Sequence, residues 1–229
     1  MRIPCVIPTW SAIYKSVNTS MTVFVVDVRD SCSLMHEQCK EILNDYFDRF
    51  GIKSVWLTEN QRNVDSSWLK LRCFDYVDDE FVICWDLDLL PKRTTPSILS
   101  TFNTAKINLA IDSIFESSIG SAVKTLPNFR FNCGLIGIPL AYKPLVERVF
   151  DEHKTSGATT WEQFPLNAEL ARNQFADVHE ISSTWNQLLY CSGVCKCYQK
   201  DVNLIHYAGL TSEQKAAMIA LHHKIYFKN

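Results

Sequence analysis

The chain has 229 residues, 47% of them hydrophobic, with 7 glycines and 8 prolines. That size and composition provide a substantial core and exclude a fibrous or disordered chain. A formal net charge of -2, with no run of Lys or Arg, excludes a general electrostatic attraction to nucleic acid or to anionic membrane.

Ile3 to Pro8 is a short apolar strand candidate, and a helical stretch over Ser11 to Asn18 follows it. The opening MRIPCVIPTW has neither a charged n-region nor a clean apolar h-region, and no apolar run reaches membrane-spanning length. The chain therefore reads as soluble, without a membrane span. Met21 to Val28 is nearly all β-branched or aromatic and predicts a strand with Asp27 near its end. Leu34 to Phe50 has helical periodicity, with Gly51 as its stop. Ile52 to Leu57 predicts a strand running into Thr58, and Ser67 to Tyr76 a helix. Strands alternating with helices predict an α/β fold with a largely parallel sheet, whose ligand sits beyond the carboxyl ends of the strands.

The chain is organised around the next stretch, FVICWDLDLLP from Phe81 to Pro91. An apolar run of this length suits a buried strand, and a buried strand cannot keep two carboxylates in its middle. Asp86 and Asp88 therefore belong at its solvent end. Carboxylates that close repel unless a cation, hydrogen bonds or protonation intervenes, and a hard divalent ion completed by phosphate oxygens answers that need. Asp27, Thr58 and the Asp86/Asp88 pair all fall at strand ends and are expected to share one crevice.

After Pro91 the pattern changes. Ser97 to Phe102 reads as a short helix, Ile107 to Ile111 as a strand ending at Asp112, and Phe131 to Ile138 as a strand holding Asn132 and Gly134. Helices are expected over Leu140 to His153, within Trp161 to Leu170, and over Ser212 to Phe227; Val178 to Ile181 and Val202 to His206 are strand candidates. Of the 9 cysteines, the densest group is Cys191, Cys195 and Cys197, which lacks a C-x-x-C pair and a fourth ligand for zinc. Scattered, unpaired spacing favours reduced thiols and a cytoplasmic setting.

Taken together, an apolar strand ending in DLD, then FNCGLIGIP, WEQFPLNAEL and LIHYAGL resembles the GT-A glycosyltransferases. The nearest pattern is that of glycogenin and the lipopolysaccharide galactosyltransferases, with D-x-D, N-x-G, D-Q-x-x-L-N and H-F-x-G in that order. Small viral GT-A enzymes of this length are also similar. The likeness covers roughly residues 81 to 210; earlier residues match only in strand-helix rhythm. It implies a single GT-A catalytic domain over 1–229, with a nucleotide-binding half to about residue 90 and a sugar- and acceptor-binding half beyond.

Carried over to this sequence, the resemblance makes Asp86, Asp88 and His206 the ligands of Mn²⁺, with Mg²⁺ the alternative, and brings Asp86 towards the ribose. Asn132 would hold sugar hydroxyls, Gly134 would leave room for the sugar, and Asp112 and Lys70 would reach the donor. Gln163 would lie beside the reacting carbon, and Glu162 stands where the family has Asp. Thr9, Asp27 and Thr58 are the expected contacts to the nucleotide. The family's K-P-W after H-F-x-G is missing, which leaves the diphosphate lysine unassigned, Lys215 being the available residue.

The implied reaction moves a sugar from a nucleotide-diphosphate donor, UDP-sugar favoured, to a hydroxyl of a glycan or other acceptor. A glutamine at position 163 suits retention, which needs no strong base; inversion would call on Asp112, Glu162 or Asp177. Two other classes share features. Haloacid-dehalogenase-type phosphatases also end a strand in D-x-D, but carry Thr or Val where this chain has Leu90. A non-catalytic nucleotide-sugar-binding protein would keep every ligand and differ only in turnover.

Overall fold

In the computed structural model, which describes residues 22–26, 41, 44–45, 47–48, 53–57, 66–86, 88–92, 95–96, 98–112, 130–156, 161–188, 201–209 and 212–226, strands and helices are mixed along the chain. The strands are β1 (Thr22–Val26), β2 (Lys53–Leu57), β3 (Phe81–Trp85), β4 (Leu89–Pro91), β5 (Ile107–Ile111), β6 (Phe131–Pro139), β7 (Val178–Ile181), β8 (Gln187–Leu188) and β9 (Leu204–His206). The α-helices are α1 (Lys143–Ser156), α2 (Gln163–Ala171) and α3 (Ser212–Tyr226). Residues 41, 44, 45, 47 and 48, inside the helix expected over Leu34 to Phe50, are helical. Ser66–Asp75, where a helix was expected over Ser67 to Tyr76, is a 3-10 helix with a kink at Arg72.

β1 and β2 pair in parallel, as the early alternation predicts. Around the D-x-D strand the sheet is mixed instead of mainly parallel. Its order is β3-β6-β5-β7; β6 runs antiparallel to both β3 and β5, and only β5–β7 is parallel. The parallel neighbours β5 and β7 are separated in sequence by β6, α1 and α2, whereas antiparallel neighbours need no helical crossover. A smaller sheet, β4-β9-β8, carries the chain away from the D-x-D turn.

β6 is the central strand, buried along its whole length. Phe131 and Cys133 face the same core as Ile136 and Ile138, so the inward parity switches from odd to even within the strand. The switch is a bulge. Leu109 pairs with Ile136 and Ala110 with Asn132, leaving Cys133, Gly134 and Leu135 without partners on β5. One core cluster packs Trp68 and Leu71 of the 3-10 helix and Val146, Val149 and Phe150 of α1 against β5 and β6. The other, around Leu89, Leu135, Trp185 and Leu204, fills the opposite side. Each fully buried aliphatic side chain contributes about 1.5–3 kcal/mol. Both faces of the sheet are therefore covered, and the polar groups gather at the bulge.

Among the described residues no helix is long and apolar enough to cross a membrane. Cys73, Cys84 and Cys133 are buried free thiols; Cys191, Cys195 and Cys197 lie outside the described residues.

Candidate active site

The backbone assembles the site. Asp86 follows β3, where its N–H donates to the Gly134 carbonyl at 2.8 Å. Leu89 N–H donates to the Asp86 carbonyl at 3.0 Å, turning the chain into β4 with Asp88 in the turn. The Trp85 indole closes that turn by donating to the Leu89 carbonyl at 2.7 Å. Leu89 lies opposite His206 in the antiparallel β4–β9 ladder, and Tyr207 N–H donates to the Asp88 carbonyl at 2.9 Å.

This pairing brings Asp86, Asp88 and His206 together, with one ligand atom from each inside 4.8 Å of the others. His206 Nε2 stands 3.3 Å from Asp88 Oδ1 and 3.8 Å from Asp86 Oδ2. Two carboxylate oxygens and one imidazole nitrogen form a donor set that could hold a divalent metal ion. His206 is buried, whereas Asp86 keeps 31% of its side-chain surface exposed, which leaves a face open to further ligands.

Two lysines flank the carboxylates. Lys70 Nζ is buried 2.6 Å from Asp86 Oδ1 and 2.7 Å from Glu162 Oε1, and it donates to the Cys133 carbonyl at 2.8 Å. Burial would lower the Lys70 pKa, but Asp86 and Glu162 outweigh it and hold the ammonium above its ordinary range. Burial also raises the Asp86 carboxyl, and Lys70 and His206 offset only part of that.

Lys215, in the first turn of α3, donates to Asp88 Oδ2. Burial pushes the Asp88 carboxyl up, but hydrogen bonds and charge from His206 and Lys215 prevail and hold it below the usual carboxylate range. α3 is pinned behind Lys215 by His222. Its Nε2 lies 2.8 Å from the Pro91 carbonyl, which can only accept, so its Nδ1 accepts from the Tyr207 hydroxyl at 2.8 Å.

The bulge of β6 supplies the polar floor. Asn132 Oδ1 accepts from the Gly134 N–H at 2.8 Å, and Asn132 Nδ2 donates to Asp112 Oδ2 at 3.2 Å. Asn186, fully buried after β7, donates to Asn132 Oδ1 at 2.7 Å and stands 2.8 Å from His206 Nδ1. A Cβ on Gly134 would meet His206 Cε1 at 2.5 Å and Nδ1 at 2.8 Å. The space before Gly134 thus holds the imidazole ring and is not the open room for a sugar that the motif implied.

Of the residues singled out in the sequence, Lys70, Asp86, Asp88, Glu162 and His206 meet in one cluster, and Asn132, Gly134 and Asp112 lie directly behind it. Gln163 is the half-buried first residue of α2. Thr9, Asp27 and Thr58 lie outside the described residues. Asn167 was legible as the last residue of WEQFPLN but was not singled out. It clamps α2 to β6, accepting from Phe131 N–H at 2.9 Å and donating to the carbonyls of Phe131 and Gln163 at 3.0 and 2.7 Å. Asn186 belongs to no motif.

Comparison with solved structures places the fold. A glycosyltransferase involved in the glycosylation of the major capsid of PBCV-1 superposes with a TM-score of 0.51 at 11% identity, over 89% of this chain and 100% of that one. The glycosyltransferase GlyE of Streptococcus pneumoniae TIGR4 gives a TM-score of 0.56 at 11% identity over 97% of this chain, and its apo form 0.54 at 12%. The chain has a glycosyltransferase fold. It spans 59% of the length of GlyE. No protein-family model matches the sequence, and no curated protein is similar to it.

Proposed function

We propose that this chain is a metal-dependent glycosyltransferase that moves a sugar from a nucleotide-diphosphate donor, a UDP-sugar by preference, to a hydroxyl of a glycan or glycoconjugate, with retention. The observation that carries the reading is the convergence of Asp86, Asp88 and His206 inside 4.8 Å within a glycosyltransferase fold. Mn²⁺, or Mg²⁺ in its place, would be held by these three residues and would supply Lewis-acid neutralisation of the leaving diphosphate.

The remaining chemistry falls to the chain's own groups. Lys215 carries the mobile positive charge beside Asp88, its side chain 35% exposed, and takes the role of the diphosphate lysine that the sequence left unassigned. Lys70 holds Asp86 and Glu162 together and orients both towards the donor. Glu162, committed to that ion pair, is a poor nucleophile, which favours attack from the leaving-group face beside Gln163 over a covalent intermediate. Asp112 and Asn132, buried and bonded to each other, support the site from behind rather than grip the donor sugar, and Thr9, Asp27 and Thr58 are the contacts proposed for the nucleotide. Trp161, 59% exposed and stacked on Phe164, offers an apolar face beside Glu162 for an acceptor sugar ring.

One catalytic domain suits this reading better than two. β3 pairs with β6 and β4 with β9, so hydrogen bonds cross residue 90 in both sheets. Buried free thiols fit a reducing, cytoplasmic setting. The test is nucleotide-diphosphate release from a panel of UDP- and GDP-sugars with Mn²⁺ or EDTA. Mn²⁺-dependent release from one donor supports transfer and names the sugar. Nucleotide binding without release across acceptors turns the reading into a binding protein, and absence of both ends it.

A further inference from the structure

Three buried polar side chains, Asp112, Asn132 and Asn186, run in a line behind His206, and hydrogen-bond chemistry allows them one orientation. Asp112 offers carboxylate oxygens, so the group of Asn132 that faces it at 3.2 Å must be the amide nitrogen. The Gly134 N–H, 2.8 Å from the other end of the same amide, requires an oxygen there. These two contacts lock Asn132 from both sides. Asn186 then meets an acceptor at 2.7 Å and must present its own nitrogen to it, which turns its oxygen towards His206 Nδ1 at 2.8 Å. Flipping either amide would set oxygen against oxygen or N–H against N–H in a buried site, with Asn186 exposed by 0% and Asn132 by 7%.

We infer that Asn186 is a positioning residue, which keeps the proton of His206 on Nδ1 and so leaves Nε2 as the nitrogen presented to Asp86 and Asp88. The line runs from a carboxylate and a backbone N–H, neither of which can reverse its role, so the setting is built into the fold. Gly134 takes part twice, giving the N–H that locks Asn132 and the gap that admits the imidazole. A metal-binding histidine needs such a partner on its second nitrogen, and loss of one typically weakens metal binding by about 10- to 100-fold. The inference rests on the metal reading of the site, but its central claim concerns the metal-free protein.

The test has two parts. Nitrogen-15 NMR of the histidine side chains in metal-free protein is expected to show His206 Nδ1 protonated from about pH 5 to about pH 9, whatever the state of Nε2. Neutral His206 with its proton on Nε2 would overturn the proposal. In Asn186→Leu the neutral ring should move its proton to Nε2, facing Asp88, and Mn²⁺ affinity by calorimetry should fall about 10- to 100-fold. Asn186→Gln keeps both an N–H for Asn132 Oδ1 and an acceptor for Nδ1 and should retain the tautomer and most of the affinity, and it serves if the leucine variant does not fold. Unchanged tautomer and affinity in Asn186→Leu, or equal losses in both variants, would overturn the positioning role. Failure of the wild-type protein to bind Mn²⁺ would instead sink the metal reading, with the tautomer result still standing on its own.

Discussion

Lys70 and Asp86, sixteen residues apart in sequence, are joined by an ion pair of 2.6 Å that is shut from water on the lysine side. The ammonium also serves Glu162, so one cation balances two carboxylates drawn from separate elements. Breaking a buried pair by removing one partner leaves charge without compensation. Lys70→Met is expected to cost about 3 kcal/mol, the lower end of the usual range because Asp86 keeps part of its surface in water. Urea denaturation measures it, and the double variant Lys70→Met/Glu162→Gln should recover part of the loss. Additive losses would show that Glu162 does not depend on Lys70.

Asp88→Asn preserves shape while removing the charge that faces both His206 and Lys215. Even partners behind a metal ligand are worth about 10- to 100-fold in affinity, so Mn²⁺ binding should fall by at least about 100-fold. Thermal stability at neutral pH should fall as well, because His206 and Lys215 hold the Asp88 carboxyl below its usual range and that contribution to folding is present only while it is ionised. Electron paramagnetic resonance of free Mn²⁺ provides the reading, and full affinity in the variant would remove Asp88 from the ligand set.

Two glycines of β6 separate site from scaffold. A Cβ at Gly134 would strike the His206 ring, whereas one at Gly137 would meet the rings of Phe102 and Phe81 at 2.7 Å. Each alanine should destabilise by about 1–3 kcal/mol through overpacking. Only Gly134→Ala should also weaken Mn²⁺ binding, since only there does the displaced ring carry a ligand. Equal metal affinity in the two variants would contradict the close approach of His206.

Lys215 lies in the first turn of α3, where the helix dipole disfavours a cation, and its ammonium rests on Asp88 instead. Under the proposed function it exchanges that contact for the diphosphate. Lys215→Ala should weaken UDP binding by about 10-fold at low salt, with a smaller difference at high salt as screening grows. Fluorescence titration with UDP follows this, and a salt-independent loss would argue for a packing role.

Trp161→Ala tests the acceptor face. A 59% exposed side chain away from the core should change stability by no more than about 0.5 kcal/mol. Donor hydrolysis should be unaffected while the KM for acceptor rises; parallel loss of both would place Trp161 elsewhere in the reaction.

How much of this was legible in the sequence depended on whether the cause was local. β3, β5 and β7 occupy the residues their apolar patterns mark, because each run is bounded by an acid, a turn residue or proline. β4 and β8 span three and two residues and exist only because β9 lies between them, so no periodicity announces them. Asp86, Asp88 and His206 were readable from motif order. The bulge that aims Asn132 arises from β5–β6 register, and a one-strand reading cannot see register. Asn186 stands in ISSTWNQLLY with no pattern around it, and its meaning comes wholly from what folds against it. Gly134 was expected to leave room for a sugar, but the group that approaches it is this chain's own imidazole.

The β4–β9 ladder also governs when the site comes into being. Lys215 reaches Asp88 across 127 residues of chain, and His206 is delivered by the same ladder. Closing a loop of that length costs conformational entropy before any contact in it is rewarded, so such pairings form late in folding. A refolding chain can complete β3, β5 and β6 and still lack any grip on a divalent ion. Under the proposed function, Mn²⁺ capture thus reports the docking of β9 and α3, and a protease cut between β7 and β9 is expected to silence it while most of the central sheet persists.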